Sequence, residues 1–234
     1  MLLGHPFAYW RRSFIAPGGA ASPTSSGGDS TLQSREPSTR LAIVGVAVVA
    51  FLSGGCTSGT TFVRPAAQSL ELGKTNVQSI RDRFGKPYRE STSLKNGERI
   101  TALIYSYATA EPYVEKIPSR AMGFYFHKDV LVGYEYTSSF DEDKTDFDDN
   151  KVNDIRKGET TPERVIELFG QPGGRYVFPM ITERDGTGFV YLYTRTDKHP
   201  MGGLKGTRTK LLIVVFDQSR KVADVTLNVS APPK

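Results

Sequence analysis

Apolar residues recur at helical spacing in two short segments of the chain. They are Val77, Ile80 and Phe84 in the first segment, and Val165 and Phe169 in the second. A spacing of three or four residues places side chains on one face of a helix. The pattern therefore predicts two short amphipathic helices, each with its apolar face turned towards a core.

The two helical segments are copies of one internal repeat. Residues 73–87, GKTNVQSIRDRFGKP, align without a gap with residues 158–172, GETTPERVIELFGQP. The shared positions are Gly73, Thr75, Phe84, Gly85 and Pro87 in the first copy, and Gly158, Thr160, Phe169, Gly170 and Pro172 in the second. A phosphate-binding loop would need a glycine five residues before Gly73, where Gln68 stands, so GKT does not indicate a nucleotide site.

The shared residues have predicted roles at the ends of the helices. Thr75 with Gln78, and Thr160 with Glu163, fit the S/T-x-x-E/Q capping box that begins a helix. The shared glycines suit the left-handed position after a helix, and the prolines two residues later stop it. Upstream, matching apolar positions predict a short first helix, so each repeat is expected to open with a helix–turn–helix.

Alternating apolar segments after each helix predict strands. In the first copy, YRESTSL and RITALIYSYA flank Asn96-Gly97, a strong hairpin signal, and in the second, RYVFPMITE and GFVYLYT flank Asp185-Gly186. Segments 122–138 and 210–229 each predict two more strands around a tight turn. The predicted fold class is α+β, with a helix–turn–helix and a four-stranded antiparallel sheet in each of two tandem repeats, 65–140 and 151–230.

The beginning of the chain reads as a leader that precedes the repeats. Residues 16–40 are mostly small and polar, which is typical of disorder, and the apolar stretch from Leu41 to Leu52 rises about 18 Å as a helix, too short to span a bilayer. Arg35 and Arg40 precede it and small residues follow it, as in a secretory signal peptide. We therefore expect residues 1–55 to be a disordered leader with a signal segment.

The end of this leader resembles a bacterial lipoprotein signal. Cys56, the single cysteine of the chain, follows Gly54-Gly55 directly and precedes a Ser, Thr and Gly-rich tether over 56–64. The resemblance implies lipidation of Cys56, with palmitate among the acyl chains, and an effectively permanent membrane anchor. Because Thr57 rather than Asp follows the cysteine, it also implies an outer-membrane location facing the periplasm. An incidental or buried thiol is the alternative interpretation.

The organisation of the repeats resembles the SmpA/OmlA family, which includes the BamE lipoprotein of the outer-membrane assembly machinery, and the related β-lactamase-inhibitor-like fold. The motif that carries the resemblance is Gly-x-Thr, a short helix and then Phe-Gly-x-Pro, present in both copies. BamE-like proteins have one such unit, whereas two tandem units are similar to the inhibitor-type proteins. The resemblance implies a protein-binding or scaffold role, with envelope proteins as partners.

Composition and motifs do not indicate catalysis. The net charge of +5 is too small to suggest nucleic acid as a partner, and with one cysteine and three scattered histidines no metal or cofactor is predicted. The acidic segment 141–150, DEDKTDFDDN, lacks the glycine and glutamate of an EF-hand in either register. It is predicted to be a solvated linker between the repeats.

Two surface features are candidates for binding. A Gly-rich basic segment over 194–210 reads as a long loop that contacts anionic lipid headgroups or an acidic partner, or else as a solvated hairpin. Its cations are Arg195, Lys198, Lys205, Arg208 and Lys210. Tyrosine pairs such as Tyr105 with Tyr107 and Tyr191 with Tyr193 lie on one strand face, where they form core or an aromatic platform, and core is favoured for most.

The sequence thus predicts a non-catalytic, lipid-anchored envelope protein that acts as a protein-binding module, in outer-membrane protein assembly or envelope integrity. The alternative is an inhibitor-like binder of a periplasmic enzyme.

Overall fold

Backbone pairing joins the described residues, 57–110 and 114–231 of this computed structural model, into one antiparallel sheet with short helices on one face. The chain runs through two similar halves, called here the first half (57–140) and the second half (141–231). None of the helices among these residues has the length and hydropathy needed to cross a membrane.

The first half contains six strands and one α-helix. They are β1 (Thr57–Gly59), α1 (Val77–Phe84), β2 (Arg89–Lys95), β3 (Glu98–Thr109), β4 (Lys116–Ile117), β5 (Ser119–His127) and β6 (Val130–Ser138), with a 3-10 turn at Ala67–Ser69. The β2–β3 turn at Asn96-Gly97 has positive φ at both residues, as a two-residue hairpin requires, which confirms the hairpin prediction.

The second half contains four strands and one α-helix. They are α2 (Pro162–Phe169), β7 (Gly174–Tyr176), β8 (Thr187–Lys198), β9 (Leu204–Phe216) and β10 (Val222–Ser230), with 3-10 segments at Asp141–Asp143 and Asp149–Asp154. The predicted strand over RYVFPMITE is mostly absent, because β7 stops at Tyr176 and residues 177–186 cross the sheet instead.

The sheet is continuous across the two halves. Its order is β1-β3-β5-β6-β7-β8-β9-β10, with β2 also paired to β3 and β4 to β8. The halves meet where β6 pairs with β7, through Gly133 opposite Tyr176 and Tyr134 opposite Arg175. The strand succession β2-β3-β5-β6 is thus repeated as β7-β8-β9-β10, side by side in one sheet.

The predicted α+β class is wrong, since the described chain is mostly β. Each apolar helical stripe covers only eight residues, and the first helix of each expected helix–turn–helix is a 3-10 segment at Ala67–Ser69 or Asp149–Asp154. Segments this short gain too few hydrogen bonds to propagate as α-helix. The edge pairing of β6 with β7 then merges the two expected sheets into one.

Both halves use the same backbone hydrogen bonds around the repeated motif. The N–H of Gly73 donates to the carbonyl of Leu131 at 2.8 Å, and the N–H of Leu131 donates to the carbonyl of Thr75 at 2.8 Å. Gly158 and Thr160 make the same exchange with Val222, at 2.8 and 3.0 Å. The repeat therefore locks the turn before each helix onto the start of the last strand of its half.

The predicted capping boxes are wrong by one residue. Asn76 and Thr161 are the N-caps, and their side chains accept from the backbone N–H of Ser79 and Arg164. The hydroxyl of Thr75 instead accepts from the N–H of Glu71 at 3.0 Å, closing the preceding turn, and Thr160 does the same for its half. The shared glycines at the helix C-termini have positive φ, but their ψ angles of −148° at Gly85 and −168° at Gly170 are not those of the predicted left-handed helical position.

The core on the helix side has one cluster in each half. The first contains Leu70, Ile80, Leu103, Tyr105, Met122, Phe124, Phe126, Leu131, Tyr134 and Tyr136. The second contains Phe147, Val165, Phe189, Tyr191, Leu212, Val214, Phe216 and Val222. Four of the tyrosines from the predicted pairs are thus buried, while Tyr107 and Tyr193 are half-buried.

We expect Gly174→Ala to lower the free energy of unfolding by about 2–3 kcal/mol. A Cβ at this position would lie 2.2 Å from the carbonyl oxygen of Tyr134 and 2.7 Å from the Cα of Glu135, both backbone atoms of β6. Relieving this clash requires β7 to move away from β6, which separates the halves. Chemical denaturation measures the loss, and Thr187→Ala, at an exposed position of β8, is the control expected within about 0.5 kcal/mol of wild type. Equal stability of Gly174→Ala and wild type would contradict this account.

Candidate functional site

The predicted basic loop over 194–210 is mostly strand. Arg195 and Lys198 lie on β8, the other three cations lie on β9, and the turn between the strands covers only residues 199–203. The prediction of a long loop is therefore wrong, because the polar sequence continues a ladder in which Arg195 faces Arg208 and Thr196 faces Thr207. The cations do not form a single cluster.

Lys210 is a buried structural cation. Its Nζ contacts carboxylate oxygens of Asp146 at 2.9 Å and Asp149 at 3.0 Å, and donates to the carbonyl of Phe147 at 2.8 Å. Burial alone would lower the pKa of Lys210, but the two carboxylates outweigh it and raise the pKa. Arg195 donates to Asp197 at 2.8 Å, whereas Lys205 and Arg208 are exposed.

The acidic segment 141–150 makes an equivalent contact in the first half. Arg120 faces Tyr107 on the neighbouring strand, as Lys210 faces Tyr193, and it binds Asp143 at 2.6 Å. Burial alone would raise the pKa of Asp143, but hydrogen bonds from Ser138, Arg120 and Tyr136 outweigh it and lower the pKa. The expected solvated linker is therefore a structural connection, with part of its carboxylates neutralised against both halves.

An open groove of about 410 Å³ lies on the first half. One wall is the segment 59–63, which the sequence suggested to be flexible, and the other is the end of α1 with the residues that follow it. The lining is Gly59, Thr60, Thr61, Phe62, Val63, Arg83, Phe84, Lys86, Tyr88, Tyr105 and Ser106. Sequence reasoning missed this site, because its first wall reads as a polar tether.

The first wall begins at β1, which pairs with β3 and approaches it closely at Gly59. Gly59 has φ of +84° and pairs with Tyr107, and a Cβ there would lie 2.0 Å from the carbonyl oxygen of Ser106. Phe62 then packs edge-on against Phe84, with ring centroids 6.2 Å apart. The groove is therefore a defined surface of the fold, held by backbone pairing and aromatic packing.

The second half closes the corresponding position. Phe147 occupies the repeat position of Phe62, packs on Phe169 with centroids 6.1 Å apart, and is buried under Lys210. Phe62 is only half-buried. At this position, therefore, the aromatic floor is accessible in the first half and covered in the second.

The rim of the groove is cationic and partly apolar. Lys86 and Arg83 are exposed, Tyr88 is 56% exposed and Val63 is 85% exposed. The described lining contains no carboxylate. Tyr and Arg are the residue types enriched at the energetic centres of protein interfaces, so this arrangement suits an acidic or aromatic protein segment.

A second polar group lies on the sheet face opposite the helices. Glu135 accepts hydrogen bonds from Tyr125 at 2.6 Å and from Tyr176, and Lys95 lies close enough to interact electrostatically. Burial raises the pKa of Glu135, and the tyrosine hydrogen bonds and Lys95 oppose that shift without cancelling it. Burial also raises the pKa of both tyrosines well above the usual value.

This buried carboxylate is enclosed by the segment that follows β7. Met180 and Ile181 are buried on this face, and the Asn96 side chain donates to the carbonyls of Pro179 and Ile181 at 3.0 and 2.9 Å. The network therefore joins the first hairpin, β6 and β7, and has a structural role at the junction. In the sequence, this network was indicated by one acidic residue, Glu135, between Tyr134 and Tyr136 in an apolar strand.

No three His, Cys, Asp or Glu side chains among residues 57–110 and 114–231 are grouped so as to hold a metal ion. Cys56, the predicted lipidation site, lies outside the described residues, directly before Thr57.

Comparison with known proteins does not identify a family for this chain. No protein-family model matches the chain, and no curated protein matches it significantly. A solved structure from Streptococcus mutans, described as a "putative beta-lactamase inhibitor protein", is similar over 66% of this chain and 82% of its own, with 10% identity and a TM-score of 0.33.

The predicted resemblance to the SmpA/OmlA family is wrong. No family model supports it, and a ten-stranded sheet with two eight-residue α-helices among the described residues is unlike the small helix-rich BamE type of fold. In this chain the Gly-x-Thr and Phe-Gly-x-Pro motif forms the turn before each short helix and the end of that helix, so the motif alone does not identify the family.

The stability difference between wild type and Glu135→Gln is expected to fall as the pH rises. Because the folded pKa of Glu135 is raised above the unfolded value of about 4.3, the folded state binds the proton more tightly than the unfolded state does. The free energy of unfolding of wild type, relative to Glu135→Gln, is therefore greatest below the unfolded pKa. This difference is lost as the pH rises through the folded pKa.

Urea denaturation of both proteins between pH 4 and pH 8 measures this difference. Glu167→Gln, at an exposed position of α2, is the control expected to show a much flatter profile. A difference that grows with pH would mean that the hydroxyls of Tyr125 and Tyr176 stabilise the charged form more than burial disfavours it.

Proposed function

We propose that this chain is a non-catalytic, inhibitor-like binding protein of the bacterial envelope, which holds an acidic or aromatic segment of a soluble periplasmic enzyme in the groove of its first half. The observation that carries the proposal is the groove itself, with its aromatic floor, its cationic rim and no carboxylate in its described lining. Such a rim attracts acidic segments and disfavours basic ones.

The polar groups of the groove support binding rather than chemistry. The hydroxyl of Tyr105 donates to the carbonyl of Gly85 at 3.1 Å, and Arg83 donates to the hydroxyl of Ser69 at 2.8 Å. These hydrogen bonds fix the end of α1 to β3 and to the Ala67–Ser69 turn. Lys86, Tyr88 and Val63 are left at the rim, where they can contact a partner.

An enzyme partner is preferred to the assembly machinery. The assembly role depended on the SmpA/OmlA resemblance, which the fold does not share. The likeness to the Streptococcus mutans structure is too weak to add support, so the proposal rests on the groove. Anchoring through Cys56 would keep the groove close to the membrane surface, because β1 begins one residue after that cysteine.

A photo-reactive amino acid placed at Val63 is expected to cross-link a soluble enzyme in intact cells of a two-membrane bacterium that expresses the chain. The same amino acid at Leu94, which is 63% exposed on β2 and outside the groove, is the control expected to give no such adduct. Combining Arg83→Glu with Lys86→Glu should reduce the Val63 adduct at least about fivefold, since the rim charge is reversed.

The matched control for that charge reversal is Lys128→Glu with Arg99→Glu, one lysine and one arginine at exposed positions away from the groove. Adducts confined to membrane-embedded assembly proteins, or an unchanged adduct after reversal of the rim, would overturn the proposed function.

Cys56→Ala is expected to abolish labelling by radioactive palmitate and to release the chain from the membrane fraction. The lipid would be attached at the thiol and the new N-terminus, so removal of the sulfur removes the anchor. Thr57→Ala, beside it, should keep the label. Unchanged labelling of Cys56→Ala would end the proposal of a lipid anchor while leaving the groove proposal intact.

A further inference from the structure

One end of the sheet gathers the beginning of the described chain and the tip of the β8–β9 hairpin. Thr57 pairs with Thr109, and the N–H of Thr109 donates to the carbonyl of Pro118 at 3.0 Å. Ile117, one residue earlier, pairs with Thr196 of β8. Through β4, therefore, the residue after Cys56 and the end of β8 belong to the same end of the fold.

The hairpin tip presents apolar side chains to solvent. Met201 is 96% exposed and Leu204 is 50% exposed. The turn that carries them is hydrogen-bonded, because the N–H of His199 donates to the carbonyl of Gly203 at 2.9 Å and that of Gly202 donates to the carbonyl of His199. These two side chains are thus held outward on an ordered turn instead of folding onto the sheet.

Cations surround this apolar tip. Lys205 and Arg208 are exposed on β9, and Lys198 is half-buried at the end of β8. Among the described acidic residues at the same end, Asp197 accepts from Arg195, Asp141 and Glu142 pair with Lys116 and Arg120, and Glu115 is exposed. The described part of the tip therefore places the exposed Lys205 and Arg208 next to two exposed apolar side chains.

We infer that the β8–β9 tip, residues 198–208, docks on an anionic lipid surface, with Met201 and Leu204 at the boundary of headgroups and acyl chains and Lys205 and Arg208 at the phosphates. Apolar side chains flanked by Lys and Arg are the composition that interfacial membrane segments use. The inference extends the anchoring part of the proposed function, since a lipid on Cys56 would bring this end of the sheet to the bilayer.

The charge complementarity favours lipid over a protein partner at this site. A membrane offers a continuous anionic surface with an apolar layer directly beneath it, which matches a narrow tip with two outward apolar residues. An acidic protein would also need a surface complementary to the β8 and β9 flanks, where Arg195 faces Arg208 and Thr196 faces Thr207.

A fluorescent probe at the tip tests this inference. Met201→Cys in the mature, lipidated chain offers one free thiol, because Cys56 would be acylated, and an environment-sensitive dye there is read after reconstitution into vesicles. With 30% phosphatidylglycerol we expect at least a twofold rise in emission and a blue shift relative to pure phosphatidylcholine. Ser219→Cys, in the exposed β9–β10 turn at the opposite end, is the control expected to give no change.

Charge reversal at the tip is the second test of this inference. Lys205→Glu with Arg208→Glu should remove most of the rise at position 201 in anionic vesicles, and Lys128→Glu with Arg99→Glu should leave it unchanged. Equal emission at position 201 in neutral and anionic vesicles, or at positions 201 and 219, would overturn the inference.

Failure of the anchor is distinguishable from failure of the tip. If Cys56 is not acylated, the dye also labels that thiol and the chain does not float with neutral vesicles. The emission from Cys56 is then measured on the labelled chain without Met201→Cys. Subtracting it leaves the dependence of the position 201 signal on anionic lipid. If an acidic protein rather than lipid occupies the tip, position 201 responds to neither vesicle type.

Discussion

The pairing of β6 with β7 is the constraint on which the rest of the molecule depends. Two residue pairs join β6 to β7, Gly133 with Tyr176 and Tyr134 with Arg175, and the short β4 adds two more pairs with β8 at one end of the sheet. Gly174 and Gly133 make this approach possible, because a side chain at either would meet β6 backbone or the Tyr176 ring. Without it, both halves would expose an edge strand, which is a template for aggregation.

The packing beyond this junction follows from the same approach. Tyr176, brought beside β6, donates to Glu135. In the chain after it, the carbonyls of Pro179 and Ile181 accept hydrogen bonds from the Asn96 side chain. The acidic segment 141–150 reinforces the joint from the other side through Arg120 and Lys210. Burying a carboxylate at the centre costs free energy, and the hydroxyl donors offset part of that cost.

How far the sequence predicted this structure depends on the range of the interactions involved. The repeat, its glycines and the Asn96-Gly97 hairpin were predictable, because each depends on a few neighbouring residues whose φ angles or hydrogen bonds are locally determined. The merged sheet was not, because it depends on the β6–β7 and β4–β8 pairs, which join residues more than forty positions apart. The groove was missed for the same reason: Gly59 finds its partner on β3, and nothing in the polar segment itself indicates that pairing.

Duplication explains why binding would concentrate on one half. In the second half, Phe147 and Lys210 fill the position that Phe62 leaves partly open, and the carboxylates that neutralise Lys210 come from the segment linking the halves. The segment 141–150 occurs once, between the two halves, so its Phe147 can cover this position only in the second half. The first half has the chain after Cys56 in the same place, with Thr61 and Arg64 at the repeat positions of Asp146 and Asp149, the two carboxylates that contact Lys210. Under the proposed function, the cations at the groove rim would then be available to a partner, which would make the difference between the halves a functional one.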